Sequence, residues 1–383
     1  MSQPRVLVLH NRYRVSGGEE RAVELQVGAL RRAGAVCDAL ERDSAEAGRA
    51  HAASALLRGG DDPAEVSAAV RALGATVVHA HNIHPLFGHR SLAAARQAGA
   101  GTVLHLHNFR LFCSIAIAFR DGQPCFRCRG RRTLPGLALN CRGSLPESAA
   151  YATALSLHQP PLFDAVDRFV TPSRHVAGVL ERLGVPGDRL RSVANYVPDA
   201  QVAGSSRADA GRYALFAGRL TVEKGVRVAL DAAARAGVPL RVAGEGPLAD
   251  QLRDQVTRTG APVELLGRVP ADRMPELMAG AAMAVVPSLW VEVMPYAALE
   301  AMAAGVPVVA SRSGALAEVV GEQRCVEPGD ADALASAMDV LWRDPDARRA
   351  DGEQGIARVR ERFGEERYVR ELLSLYGELP AGS

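Results

Sequence analysis

Residues 287–310 read PSLWVEVMPYAALEAMAAGVPVVA. Pro295 suits a first helical turn, where its missing N–H would have no partner in any case. Gly305 stops the helix and Pro307 keeps it from resuming. The run therefore predicts a short helix from about Pro295 to Ala304, fed by a strand, Met283–Pro287, and followed by another, Val306–Ala310. Strand, tight helix and strand in so few residues form the unit of a parallel sheet with crossover helices. A helix opening at a strand's carboxyl end offers free N–H groups and partial positive charge to an anion such as a diphosphate. Glu292 stands just ahead of that helix, in reach of sugar hydroxyls. Glu300 lies more than a turn inside it, where a carboxylate can accept from vicinal ribose hydroxyls.

Outward from this segment the same alternation fills the chain. Tyr213–Ala217, Leu240–Ala243 and Val263–Leu266 are strands ahead of it, each followed by a helical pattern. A first series precedes them: Arg5–Leu9, Thr76–Val78, Thr102–Leu106 and Phe169–Thr171, the last leading into a helix opened by Pro172–Ser173. Between the series, the small polar stretch after Asn195 reads as a linker. A length of 383 residues suits two domains of roughly 150–200 residues. The expected organisation is a first Rossmann-like domain over 1–197 and a linker over 198–212. A second Rossmann-like domain follows over 213–362, and a helix over 363–383 crosses back to the first. Ligands in such sheets bind beyond the carboxyl ends of the strands, so a shared cleft is the expected site.

The motif E-x7-E ahead of AMAAGVPVVA resembles the signature of retaining GT-B glycosyltransferases of family 4. Other matches follow in family order: Gly218-Arg219-Leu220-Thr221-Val222-Glu223-Lys224-Gly225, Gly244-Glu245-Gly246-Pro247, Leu266-Gly267-Arg268-Val269 and Ser313-Gly314-Ala315. They cover essentially the whole second domain. The family's Glu-Gly-Phe-Gly appears here as Glu292-Val293-Met294-Pro295, so the family's donor-sugar preference does not carry over. The resemblance implies a GT-B fold and transfer of a hexosyl group, with retention and α-linkage, from a nucleotide-diphosphate sugar, a UDP-sugar foremost. It implies that Arg219 and Lys224 neutralise the leaving diphosphate and that Glu292 and Glu300 hold sugar and ribose. Gly17, Gly18, Gly218, Gly244, Gly267, Arg268, Met294, Pro295 and Tyr296 would complete the donor site. Two cations and a helix dipole remove the need for a divalent metal. Lys224 is the chain's one lysine among 45 basic residues, the rest arginine. Its retention points to a place where a guanidinium does not fit.

In the first half, Ser16-Gly17-Gly18-Glu19 lies between the first strand and helix, and its glycines allow close approach of backbone to a phosphate or sugar. His107 matches the family's strand-end histidine beside the transferred sugar, orienting a hydroxyl or the acceptor without being an obligatory base. His79/His81 and His105/His107 are each spaced to share a strand face. The simpler reading is a polar cleft lined by histidines; zinc ligands are the alternative. The loop over 108–145, which resembles an elaborated acceptor loop of some family members, holds Cys113, Cys125, Cys128 and Cys141. A central C-x-x-C with two outlying cysteines is the inventory of a structural zinc site, and equally of small buried thiols. Cys37 and Cys325 read as core residues. The segment Glu365–Leu379 is amphipathic at helical spacing.

A formal net charge of +2 gives no field that would favour nucleic acid. The start resembles no secretory leader and no run approaches the ~18 apolar residues of a membrane span, so a cytoplasmic protein with reduced thiols is expected, with peripheral membrane contact open. The acceptor can be a small molecule, a lipid-linked one or a glycan. The alternatives are a GT-B sugar-nucleotide epimerase and a non-catalytic nucleotide-sugar-binding protein. A dehydrogenase is disfavoured because no strand runs into G-x-G-x-x-G.

Overall fold

Four consecutive residues, Val6–Leu9, are nearly closed to solvent, as a strand covered on both faces of a parallel sheet must be. They belong to β1 (Arg5–Arg12) of the computed structural model, which describes residues 3–13 and 17–380. Ser16 of the glycine loop and the extreme ends of the expected domains therefore lie outside the described residues. The chain divides into two compact units. One takes residues up to Ala118, Cys125–Ala194, and from Tyr368 onward; the other takes Phe119–Pro124 and Asn195–Arg367.

The first unit's sheet also holds β2 (Val36–Asp43), β3 (Val77–Ala80), β4 (Gly101–His105), β5 (Arg168–Thr171) and β6 (Leu190–Ser192). All pair in parallel, in the order β2-β1-β3-β4-β5-β6. The strand order reverses beside β1, so the switch point, where open α/β sheets bind ligands, lies between β1 and β3. The glycine loop leads into the helix Gly18–Arg32, whose N-cap is Gly17. The helix after β5 opens at Ser173, which accepts the Val176 N–H and satisfies one free donor of the first turn.

The second unit's sheet is β7 (Tyr213–Ala217), β8 (Leu240–Ala243), β9 (Val263–Gly267), β10 (Ala281–Val286), β11 (Val308–Ser311) and β12 (Cys325–Val326). Its order is β9-β8-β7-β10-β11-β12, again parallel, with the switch point between β7 and β10. The core on one side packs Val226, Leu230 and Leu252 against Phe216, Val242 and Val285. The short helix spans Tyr296–Ala303; Pro295 is one position earlier than the first turn, an extended N-cap with φ −78 and ψ 120. Gly305 follows with φ +73, a left-handed residue that ends the helix. Arg348 is buried with four backbone carbonyls as partners, those of Ala208, Asp209, Leu341 and Trp342. Cys37 and Cys325 are buried on β2 and β12.

The helix Glu365–Gly377 turns Tyr368, Leu372, Leu375 and Tyr376 inward. Tyr368 donates to Gln26 Oε1 at 2.8 Å, and the Tyr376 hydroxyl lies 2.8 Å from His79 Nδ1. No helix among the described residues is long and apolar enough to cross a membrane.

Candidate functional site

At the second unit's switch point three strand ends converge through their glycines. Gly225 follows β7 with φ +68, and a Cβ there would lie 1.9 Å from the Pro287 carbonyl oxygen; at Gly244 a Cβ would lie 1.8 Å from that of Gly218. No side chain fits at either place. Backbone bonds join the same turns: Gly218 N–H to Ala243 O at 2.9 Å, Gly244 N–H to Gly267 O at 2.8 Å, Leu289 N–H to Glu223 O at 2.9 Å.

This backbone holds Lys224 against Glu292. Lys224 Nζ donates to Glu292 Oε1 at 2.7 Å, and Ser288 Oγ donates to the same oxygen at 2.5 Å. The Glu292 side chain is 3 % exposed and that of Lys224 20 %. The ammonium lies 4.9 Å from the centre of the Trp290 ring, a cation–π contact. Sequence reading had sent these two residues to different parts of a donor; the fold makes them an ion pair. Glu292 is also fixed by its backbone, since its carbonyl accepts the Ala315 N–H at 2.8 Å and a Cβ on Gly314 would meet that oxygen at 2.1 Å.

Arg219 is exposed and reaches Glu223 at 3.5 Å, while Thr221 Oγ1 donates to the same Glu223 oxygen at 2.7 Å. Arg268 is exposed after β9. Met294 O accepts from Asn195 Nδ2 at 3.4 Å; Pro295 is buried, and Tyr296 and Glu300 are half-buried on the short helix. The sequence motifs contain Ser288, Trp290 and Glu223 but assign them no role. Ser288 and Trp290 sit within four residues of Glu292, and that spacing was the available signal.

In the first unit the carboxyl ends of β1, β3 and β4 carry five histidines. His79, His81 and His105 are each no more than 2 % exposed. His81 Nδ1 lies 2.8 Å from His107 Nε2, and the rings of His105 and His107 stack at 4.1 Å. Burial, with neighbouring histidines adding to it, drives the pKa values of His81, His105 and His107 well below the usual value, and that of His79 down to about 3. All four are neutral near pH 7. Gly17 and Gly18 are exposed at the head of the first helix. Glu20 accepts from the N–H groups of Tyr13 and Gly17 at 3.0 and 2.7 Å. Burial pushes Glu19 up to about 7; its carboxylate accepts from the Tyr13 hydroxyl at 2.8 Å and from Asn108 at 3.1 Å.

In the loop over 108–145, Cys113, Cys125, Cys128 and Cys141 are half-buried thiols, and burial pushes the Cys128 thiol up to about 11. Among the described residues, one group of three metal-capable side chains brings its ligand atoms within 4.8 Å of one another, and it is His79, His81 and His105 rather than the cysteines.

Residues 200–358 match the family described as Glycosyl transferases group 1. An exopolysaccharide phosphotransferase of Streptomyces coelicolor is 33% identical over 234 residues, which are 58% of this chain and 24% of that protein. An O-antigen chain mannosyltransferase B of Escherichia coli is 33% identical over 175 residues, 43% of this chain and 45% of its own. The chain thus spans a quarter to less than half of these relatives. Among solved structures, the sucrose-phosphate synthase of Thermosynechococcus elongatus aligns over 98% of this chain and 99% of its own, with TM-score 0.73 and 19% identity. Anabaena HepE in complex with UDP-glucose aligns over 98% and 100%, with TM-score 0.69 and 17% identity. The fold is therefore of the α/β GT-B type, and the glycosyl transferases group 1 match lies within its second unit.

Proposed function

We propose that the protein is a retaining, hexosyltransferase-type glycosyltransferase of family 4 that moves a sugar, with α-linkage, from a nucleotide-diphosphate donor to a small-molecule, lipid-linked or glycan acceptor. The observation that carries this reading is the buried Lys224–Glu292 pair at the switch point of the matched domain. A cation and a carboxylate held by rigid glycine turns there suit the two ends of such a donor: ammonium to diphosphate, carboxylate to sugar hydroxyls. The donor's own anion and hydroxyls replace the contacts each residue makes with the other. Arg219 adds an exposed cation, and Glu300 holds the ribose. With this charge supplied by side chains and the head of the helix Tyr296–Ala303, the transfer is independent of a divalent metal at the diphosphate.

A UDP-sugar is the favoured donor; support comes from the Anabaena neighbour solved with UDP-glucose. His107, neutral at pH 7 and bonded to His81, orients a hydroxyl without taking its proton. Attack comes from the donor's front face, with the departing phosphate taking the acceptor's proton. The thiols of Cys113, Cys125, Cys128 and Cys141 are the candidate for a zinc that orders the acceptor loop. A cytoplasmic enzyme, working on dissolved or membrane-borne acceptors, fits these assignments.

A panel of nucleotide sugars, screened by thermal shift and then by release of nucleoside diphosphate, tests the reading. One donor should stabilise the protein and be hydrolysed slowly without acceptor, and the anomeric proton of the product should show retention. No stabilisation by any nucleotide sugar would refute it; interconversion of the donor's sugar would indicate an epimerase.

A further inference from the structure

β3 and β4 each end in histidines two residues apart, and their parallel register pairs His79 with Val103 and Ala80 with Leu104. The next step brings His81 opposite His105, so His79, His81 and His105 share one face. We propose that these three imidazoles hold a late first-row divalent ion, zinc foremost, inside the first unit, with water as fourth ligand. This site adjoins His107 of the sugar-transfer assignment through the His81–His107 contact and stands apart from the cysteine loop.

One edge of the trio has the spacing of a tetrahedral site, and all three ligand atoms lie within 4.8 Å of one another. His79 Nε2 and His105 Nδ1 are 3.3 Å apart. Two nitrogens each about 2.0–2.1 Å from a tetrahedral zinc are separated by about 3.3–3.4 Å. Among the described residues His81 Nε2 is buried with no hydrogen-bond partner, an expensive state for a neutral imidazole unless something occupies its lone pair. The outer partners of His79 and His81 fit as well. A zinc-bound histidine ordinarily uses its second ring nitrogen to donate to a fixed acceptor, which sets tautomer and orientation. His79 Nδ1 lies 2.8 Å from the Tyr376 hydroxyl, and His81 Nδ1 lies 2.8 Å from His107 Nε2. Both contacts leave Nε2 as the ligating atom.

Charge and access also favour the assignment. Burial keeps the imidazoles neutral, the form that binds metal. Glu20, 3.8 Å from His10 Nε2 and felt by His107, supplies negative charge on the same face. A pocket lined by Glu19, His81, Asn82, His105, His107 and Asn108 gives an ion a route in. The donor set contains imidazole nitrogen alone, which suits zinc, copper or nickel and disfavours magnesium or calcium.

The test uses the full chain without an affinity tag. Metal content is measured as purified; chelator-stripped protein is then titrated with Co²⁺. One equivalent bound through histidine should give visible d–d bands, and these should persist in Cys125→Ser, which weakens any thiolate-to-cobalt band in the near ultraviolet. His81→Gln should abolish the histidine-type bands. Tyr376→Phe, which removes only the hydroxyl behind His79, should weaken affinity about 10- to 100-fold with stoichiometry unchanged. The proposal fails if stripped wild type binds no Co²⁺, or if all bound Co²⁺ is lost in Cys125→Ser. It also fails if folded His81→Gln binds as wild type does. Should His81→Gln not fold, unchanged affinity in Tyr376→Phe overturns it.

Discussion

Replacing Lys224 with alanine strands Glu292. The carboxylate is 3 % exposed, and its Oε1 would keep only the Ser288 hydroxyl as partner. Removing one member of a buried ion pair costs about 3–5 kcal/mol. The ammonium is one-fifth exposed and the Ser288 bond survives, which brings the loss to roughly 2–3 kcal/mol. With a denaturant slope of about 2 kcal/mol/M for a unit of this size, its urea midpoint should fall by about 1–1.5 M. Adding Glu292→Gln removes the stranded charge, so the double variant should recover most of that loss, a coupling of about 1–3 kcal/mol. Turnover should behave differently. The cation at the leaving diphosphate is missing from both variants, so neither recovers transfer. Lys224→Arg, whose wide planar fork replaces a point charge between Glu292 and the Trp290 ring, should lose at least about tenfold. Urea unfolding followed by circular dichroism, and release of nucleoside diphosphate, give the two readings. Near-wild-type turnover in Lys224→Ala would refute the role at the diphosphate. Recovery of turnover along with stability in the double variant would show that Lys224 serves only to hold Glu292.

Glu300→Gln keeps the shape of the ribose contact and removes its charge, so donor affinity by calorimetry should fall by more than about tenfold with the fold intact. Gly225→Ala forces a left-handed residue and drives a Cβ to 1.9 Å from the Pro287 oxygen; thermal unfolding should show a loss of about 3 kcal/mol or more in the second unit. Glu19 has its folded pKa raised from 4.5 to about 7. Its stabilising contribution is therefore full below pH 4.5 and lost as pH climbs through 7, so Glu19→Gln should raise the melting temperature above pH 7 and change little below 4.5. His89, pushed down from 6.5 to about 4 by burial, works in the opposite sense. Its contribution is present above pH 6.5 and lost as pH falls through 4, so His89→Asn should show a shallower decline between those values.

What the sequence disclosed depended on how local the cause was. Pro295, Gly305 and Pro307 act within a turn of themselves, so the short helix and its flanking strands were readable to within a residue or two. β2, Val36–Asp43, lies at the sheet's edge and shows no strand period, because its apolar residues come in the pairs Val36-Cys37 and Ala39-Leu40, split by Asp38 and followed by three charged residues. β12 is two residues long and has no periodicity to detect. Lys224 and Glu292 were both singled out, yet their pairing was not, because 68 residues separate them and only the order β7-β10 brings them together. The histidine spacing was plain. That the two strands would stack them in adjacent register depended on pairing β3 with β4, which no local pattern encodes.

The first unit takes its last helical segment from the far end of the chain. His79 and its partner Tyr376 are 297 residues apart, and Gln26 and Tyr368 are 342 apart. At a synthesis rate of about 5–20 residues per second, roughly 15–60 s pass between the making of His79 and that of Tyr376. Throughout that interval the nascent first sheet lacks the helix that covers its histidines, while the chain of the second unit, Asn195–Arg367, is being made. The usual N-terminal-first order therefore does not complete the first unit, which closes only once its final helix has been made.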